Sequence, residues 1–396
     1  MLSDTILVIN SGSSSVKSAL YSASGNSPIL QAQANGLGGS AAATLKITQK
    51  KTSHRIDLPA ADHESALSAL LNALQKSDLT SAIKAVGHRV VHGGEFFSQA
   101  HIIDNKVKQK IHQCEDLAPL HNPANLSGIE IVESLLPGIP QVAVFDTAFH
   151  RSLPPRSFHY AIPARWYRQY KVRRFGFHGI NHQYIAETSL PLLDRLQRPQ
   201  RIVSAHLGNG CSICAIKDGH SIDTSMGFTP LEGLMMGTRS GDIDAGLLEY
   251  LCEKENMNME TATHILNKES GLKGVSELSN DMRELLQASD NGHAGAELAI
   301  NLFCYRLAKA IASYLVPLGT IEAIVFTGGI GEHAAPIRQR VTEFLSGLNF
   351  HLDADLNNRN ESHIRNIAGA DSRPVFIIPA NEEWMIAHQS WKLIQE

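Results

Sequence analysis

The apolar run Ile6–Ile9 leads into Asn10-Ser11-Gly12-Ser13-Ser14-Ser15-Val16-Lys17. The run reads as a buried strand, and the segment after it as a loop of small hydroxyl residues closed by one ammonium. Such a loop can gather backbone N–H groups, hydroxyls and a positive charge around an anion, phosphate above all. A Ser-rich hairpin turn is the plainer alternative. Two arginines stand in unusual company: Arg89 in Gly-His-Arg-Val-Val-His-Gly-Gly, inside an apolar strand that ends at a glycine pair, and Arg239 in Gly-Thr-Arg-Ser-Gly-Asp, where Gly and Ser leave it little apolar surface to cover. A planar, permanently charged guanidinium suits carboxylate or phosphate oxygens; a structural ion pair is the alternative use. Asp146 ends the apolar run Val142–Phe145, and Glu382 and Glu383 open a helical pattern. A carboxylate at the C-terminal edge of a strand is placed to hold Mg²⁺ directly or through water. It can equally cap a turn, and a glutamate at a helix start complements the dipole. His121, His178 and His206 fall at loops or strand ends, where a polar site would lie.

Other motifs point to less. No Gly-x4-Gly-Lys-Ser/Thr segment is present, so a P-loop is not expected. Gly328-Gly329-Ile330-Gly331 follows an apolar strand and precedes a helical pattern. Its glycines would let a ligand come close, or serve only as a strand-to-helix turn. Cys211-Ser-Ile-Cys214 lacks a second pair for zinc and reads as a loop entering a strand, where the two side chains point to opposite faces. His88 and His92, and His178 and His182, are four apart. The first pair sits on a strand and the second lacks the Glu of His-Glu-x-x-His, so a zinc hydrolase is a weak reading.

Pattern also gives the elements that must carry these residues. Strands are expected at Ile6–Ile9, Ser15–Tyr21, Leu45–Ile47, Ala85–Val91, Val142–Phe145, Ile202–His206, Ala323–Phe326 and Val375–Ile378. Turns are expected at Gly25-Asn26, Gly36–Gly39 and Asp218-Gly219. Helices are expected at His63–Leu74, from Pro123 to about Leu136 with Asn122 as cap, at 294–316 and at 382–394. The long helix would bury Leu298, Leu302, Leu307, Ile311 and Leu315. Residues 147–180, rich in Pro, Arg, His and aromatics, read as no core element, and a domain boundary is placed near 148. Strand-loop-strand units beginning at Ile6 and Ile202 echo each other. They suggest two similar domains that each offer one phosphate loop to a shared cleft.

Composition narrows the classes. With 396 residues, 43% hydrophobic and 19% charged, the chain can bury ample cores in two or three domains. A net charge of −4 without a long basic run disfavours nucleic acid or an anionic membrane as partner. No stretch is expected to reach the length of a membrane helix, and no secretory leader is evident. Five cysteines form no disulfide framework. A cytoplasmic location is the expectation.

Taken in order, the segments resemble the acetokinase family. They are Asn-Ser-Gly-Ser-Ser-Ser-Val-Lys, His-Arg-Val-Val-His-Gly-Gly, Ala-Pro-Leu-His-Asn-Pro, Phe-Asp-Thr-Ala-Phe-His, Gly-Phe-His-Gly, His-Leu-Gly-Asn-Gly, Asp-Thr-Ser-Met-Gly-Phe-Thr-Pro-Leu-Glu-Gly, Gly-Thr-Arg-Ser-Gly-Asp, Phe-Thr-Gly-Gly-Ile-Gly-Glu and Asn-Glu-Glu. They span nearly the whole chain, and the ordered set is highly specific. The resemblance implies an α/β fold of two duplicated actin-like, ribonuclease H-like domains with a nucleotide cleft between them. The domains would be residues 1–148 with a returning helix 382–396, and residues 149–381. It implies a homodimer that converts ATP and acetate reversibly to ADP and acetyl phosphate. It assigns Asn10 and Glu382 to Mg²⁺ (Mn²⁺ being an alternative) and Lys17 to ATP. His206, Leu207, Gly208, Asn209, Gly210, Asp281, Met282, Arg283, Gly329, Ile330, Gly331, Glu332 and His333 would line the nucleotide. Arg89 would bind the carboxylate, and Val91, Leu120, Phe177 and Pro230 the methyl group. His178 and Arg239 would stabilise the transition state, and Asp146 is the family's acid/base residue. An acetate nucleophile is already ionised at neutral pH. A role for Asp146 in orienting Arg89, Arg239 or metal-bound water is therefore expected instead. His333 departs from the family's usual Asn and bears on the base contact. Two rivals stand beside this reading. One is a propionate kinase, disfavoured by the bulk of Val91. The other is an actin- or chaperone-like ATPase, against which Arg89 and the apolar pocket argue.

Overall fold

A computed structural model describes residues 4–39, 42–50 and 52–396. The chain forms two compact units, one running to Arg151 and joined by Asn381–Glu396, the other Ser152–Ala380. In the first, β1 (Thr5–Ser11), β2 (Ser15–Ser22), β3 (Pro28–Asn35), β4 (Thr44–Gln49), β5 (Thr52–Asp57), β6 (Ile83–Val90), β7 (His101–Ile102) and β8 (Gln141–Phe145) make one sheet. Its order is β5-β4-β3-β2-β1-β6-β8-β7. In the second, β9 (Arg201–Leu207), β10 (Cys211–Lys217), β11 (His220–Thr224), β12 (Ala323–Thr327), β13 (Arg365–Asn366) and β14 (Val375–Ile377) are ordered β11-β10-β9-β12-β14-β13.

The two sheets share a plan. In each, three consecutive antiparallel strands are extended by two parallel ones: β3-β2-β1-β6-β8 and β11-β10-β9-β12-β14. This is the duplicated actin-like, ribonuclease H-like arrangement. The β10–β11 turn takes Asp218 and Gly219 through positive φ, at 50° and 80°, as a tight hairpin requires.

Strands in the parallel part are covered on both faces and read as near-continuous apolar runs. Between them, Ile6–Ile9 and Ala323–Phe326 expose almost nothing. Helix His63–Lys76, capped by Asp62 through Ser65 N at 2.7 Å, buries Ala66, Leu67, Leu70 and Leu74 against the first sheet. Helix Glu382–Gln395 packs on β6 and β1. It comes so close that a Cβ on Gly87 would lie 2.4 Å from Ser390 Oγ and 2.8 Å from Ile386 Cγ2.

Several expectations are corrected. Asn122 is not the helix cap: His121 holds that position for helix Asn122–Leu135, and Asn122 is buried within it. The long helix Ala294–Ser313 buries Ala299, Ile300, Phe303, Cys304, Leu307 and Ile311, whereas Leu298 is 59% exposed and Leu315 39%. Leu307 and Ile311 thus lie on the buried face as expected, Leu302 is half-buried, and Leu298 and Leu315 face outward. The segment Ala294–Leu318 is in fact long and apolar enough to cross a membrane by length and composition, and its buried face packs inside the second unit. Residues 147–180 contain short helices at Ala148–Ser152, Pro155–Phe158 and Ala164–Tyr170 and bury Phe175 and Phe177. Strands β3 and β5 and helices Asn105–Gln113 and Gly179–Arg195 are additional elements.

Candidate active site

Each unit gathers its polar groups at the C-terminal ends of its parallel strands, the usual ligand edge of an α/β sheet. In the first unit Asn10 lies at the end of β1, Arg89 near the end of β6 and Asp146 just past β8. Arg89 and Asp146 form a bidentate ion pair, and Arg89 Nη1 donates to Asn10 Oδ1 at 3.4 Å. Burial works against the Arg89 charge, but Asp146 and then Glu382 outweigh it and raise its pKa above the ordinary value. Glu382 thus stands within electrostatic reach of Arg89, at the first turn of the helix that Gly87 admits to β6. The next residue, Glu383, has its pKa raised by burial and by Glu382, while Lys17 pulls it down.

The Ser-rich loop is shorter than the sequence suggested. Asn10 and Ser11 belong to β1, Ser15–Lys17 to β2, and Lys17 pairs directly with Asn10 in the ladder. Only Gly12–Ser14 form the tip, closed by Gly12 N to Ser15 O at 2.8 Å and by His63 Nε2 donating to Gly12 O at 2.7 Å. The segment is a hairpin turn, and its two strands set Asn10 and Lys17 opposite each other.

Asn125 and Asn122 back this end of the sheet, and sequence reading missed both roles. Asn125 accepts from Val91 N at 3.0 Å and donates to Ser11 O at 2.6 Å. Asn122 accepts from His92 N and donates to His92 O. Two asparagines one turn apart on a buried helix face were the available signal, because Asn disfavours a helix interior unless its amide has a partner.

In the second unit His178, Arg239 and Gly210 converge. A Cβ on Gly210 would lie 3.2 Å from Arg239 Nη2 and 3.4 Å from the His178 ring. His178 adopts the left-handed region at φ 56° and precedes helix Gly179–Arg195. Its Nδ1 is 2.9 Å from Ser212 Oγ, and His182 Nε2 is 2.8 Å from the same oxygen. One hydroxyl has one proton to give and two lone pairs to receive, so at least one of the two rings donates to it. The i, i+4 histidines thus share a serine. Ser212, hidden inside the Cys-Ser-Ile-Cys segment, is the orienting group that the sequence concealed. His206 stacks on His178 with ring centres 4.3 Å apart, and its Nδ1 accepts from Asn181 Nδ2 at 2.9 Å.

Arg239 differs from Arg89 in one respect. Its Nη1 donates to Pro230 O at 2.6 Å, and among the described residues no carboxylate pairs with it. Burial lowers its pKa, and the Cys211 thiol beside it is the only opposing influence. A guanidinium held this way is a cation available to an anionic ligand.

The remaining segments surround the loop Gly208–Gly210, which is closed by Gly208 N to Gly210 O at 3.0 Å. Asn209 Oδ1 accepts from Asn280 Nδ2 at 2.9 Å, and Asn209 O from Gly237 N at 3.0 Å. This ties the loop to the start of helix Met282–Asp290. Asp281 caps that helix and pairs with the exposed Arg283, whose hydrogen bonds hold the Asp281 carboxyl at about 2; Met282 is buried. The glycine run becomes the short helix Gly328–His333. Gly328, at φ 77°, admits the Leu207 backbone, which a Cβ would approach to 2.8 Å; beside Gly329 nothing stands within 4 Å. Leu207 is buried in β9, Gly331 is buried and Ile330 half-buried, His333 is exposed, and Glu332 Oε1 accepts from Ala380 N at 2.9 Å.

Of the expected apolar pocket, Val91 and Phe177 are buried, Pro230 is half-buried and Leu120 is 68% exposed. Val91 and Leu120 belong to the first unit, Phe177 and Pro230 to the second. The thiols of Cys211 and Cys214 are both buried in β10. Burial pushes Cys211 up to about 12 and Cys214 higher, which makes them inert at neutral pH. Among the described residues no group of three or more His, Cys, Asp or Glu forms a metal cage. Asn10 and Glu382 do offer hard oxygen donors of the kind that suits Mg²⁺, which commonly takes one or two protein oxygens and completes its shell with water and phosphate.

The fold and the polar strand ends together define a class, a phosphotransferase built on the duplicated actin-like plan. The chain belongs to the acetokinase family, whose family model matches residues 5–388. It is 46% identical over 397 residues to an acetate kinase of Chromobacterium violaceum, covering 99% of both chains. Among solved structures, it matches an acetate kinase of Porphyromonas gingivalis with TM-score 0.93 at 38% identity, covering 99% of this chain and 100% of that one. It also matches a propionate kinase of Francisella tularensis with TM-score 0.92 at 40% identity, covering 98% and 99%. The chain is accordingly a kinase that transfers a phosphoryl group to a carboxylate, with ATP and ADP as cosubstrates.

Proposed function

We propose that this protein transfers the γ-phosphoryl group of ATP to acetate, reversibly, giving ADP and acetyl phosphate. The observation that carries this is Arg239, a half-buried guanidinium beside His178 and Gly210 with a carbonyl and, among the described residues, no carboxylate as partner. Phosphoryl transfer depends on positioning and on neutralising charge spread over three equatorial oxygens. Arg239 and His178 supply preorganised donors for that charge. Lys17 and the segments 206–210, 281–283 and 329–333 hold the nucleotide.

Arg89 binds the carboxylate of acetate, and Val91, Leu120, Phe177 and Pro230 take the methyl group. The nucleophile needs no deprotonation, so Asp146 acts by fixing the Arg89 guanidinium rather than as a base. Asn10 and Glu382 would hold Mg²⁺ (or Mn²⁺), which when bound neutralises phosphate charge. The protein acts as a cytoplasmic homodimer without nucleic acid or membrane.

Val91 favours acetate over propionate, although one methylene discriminates by only about 1–3 kcal/mol, so propionate reacts more slowly rather than not at all. The test is trapping of the acyl phosphate by hydroxylamine with acetate, propionate and longer acids. The highest kcat/KM belongs to acetate. A clear preference for propionate moves the assignment to that acid. ATP hydrolysis without acyl phosphate sinks it altogether.

A further inference from the structure

Arg338 is the largest fully buried side chain among the described residues and lies 1% exposed in helix Ala335–Phe344. Among those residues no carboxylate pairs with it. Burial, and then Arg365, lower its pKa to about 10. A buried charge without a counter-ion is costly, and a well-packed apolar side chain would fill the place at less cost. The compensation is four oxygens. Nε donates to Asn357 Oδ1 at 2.8 Å and Nη2 to Asn357 O at 2.7 Å. Nη1 donates to Gly331 O at 2.9 Å and to Glu332 O at 3.0 Å. Asn357 is itself fixed, since its Nδ2 donates to Ala335 O at 3.1 Å.

Gly331 and Glu332 belong to the Gly-Gly-Ile-Gly-Glu turn, whose three glycines give its backbone the most freedom to lose on ordering. Arg338 grips two consecutive carbonyls there, while the space beside Gly329 stands open.

We propose that Arg338, aligned by Asn357, is a positioning residue that clamps the backbone of residues 329–333 in the shape that receives the nucleotide. This rests on the assignment of 329–333 to ATP made above. Lysine keeps the charge but cannot span both Asn357 and the two carbonyls. Arg338→Lys and the milder Asn357→Ala therefore loosen the turn without touching ligand.

The experiment measures ADP binding by calorimetry, KM for ATP and for acetate separately, and hydrogen exchange of amides 329–333 with and without ADP. Both variants are expected to weaken ADP binding and raise KM for ATP about tenfold, with faster exchange at 329–333. KM for acetate should move less than about twofold. Equal rises in both KM values, or an unchanged ADP affinity in Asn357→Ala, overturn the clamp, and the second criterion applies even if Arg338→Lys does not fold. If ADP leaves amides 329–333 of the unaltered protein unprotected, the nucleotide assignment of the turn fails, and the clamp's function with it. Protection that is present and identical in the variants removes the clamp alone.

Discussion

Arg89 and Asp146 meet at the ends of adjacent parallel strands, with Arg89 Nε 3.3 Å from one carboxylate oxygen and Nη2 on the other. The Asp146 side chain is 2% exposed and that of Arg89 23%. The carboxylate thus holds the guanidinium in one plane. Asp146→Asn keeps the shape and removes the charge that aligns Arg89. The expected result is a fall in kcat/KM for acetate of about 10²-fold, with KM for ATP little changed. Nearly full turnover in steady-state assays would eliminate the orienting role.

The two active-site arginines should separate stability from catalysis. Arg89→Ala takes the paired guanidinium from the buried Asp146 carboxylate and should cost about 3 kcal/mol in urea unfolding. Arg239→Ala leaves no acid unpaired, because the hydrogen-bond partner of Arg239 is the Pro230 carbonyl. It should leave the unfolding midpoint unchanged or raise it while lowering kcat by about 10²–10³-fold. A large loss of stability in Arg239→Ala would mean that the guanidinium is structural.

Acid sensitivity is expected to come in part from β6. His88 is buried against Gln141, and burial pushes it down to about 4 from an ordinary 6.5; burial also takes His92 down to about 3. Between those values and 6.5 the unfolded chain binds protons that the folded one does not. Stability is therefore complete above pH 6.5 and is lost as pH falls towards 4. For His88 alone the loss is on the order of 3 kcal/mol. Urea midpoints from pH 7.5 to 4.5 should fall steeply, and His88→Gln should flatten the slope by about one proton. An unchanged slope would place the acid-sensitive groups elsewhere.

Acid-substrate selection should answer to Val91, whose backbone Asn125 fixes at 3.0 Å. Val91→Ala removes two methyl groups while keeping that bond. Propionate kcat/KM should rise relative to acetate by about 10-fold. Competition between the two acids at fixed ATP measures the ratio, and no change would remove Val91 from the specificity pocket.

Much of this molecule was legible because its parallel strands are buried on both faces and announce themselves as apolar runs. Strand β5, Thr-Ser-His-Arg-Ile-Asp, is an exposed edge strand with almost no apolar content and gave no pattern to find. In β3 the inward side chains are Leu30, Ala32 and Ala34, and with two of the three alanine the period of two is faint. Motif residues such as Arg89, Asp146 and His178 stood out by their company. The groups behind them did not, because Asn125 reaches Ser11, Ser212 reaches His178 and Arg338 reaches Asn357 across long stretches of chain. Apart from the paired Asn122 and Asn125, such contacts have no signature in local spacing.

The helix beginning at Glu382 completes the sheet that starts at Thr5, with residues 152–380 lying between them in sequence. On the ribosome, at about 5–20 residues per second, that interval lasts on the order of ten to forty-five seconds. Throughout it the groove over Gly87 has no Ile386 or Ser390 to fill it, and Arg89 lacks the Glu382 charge. The nascent first unit waits with an uncovered apolar face until the whole of the second has been made. Chaperone occupancy during translation should therefore fall on the earlier-made half.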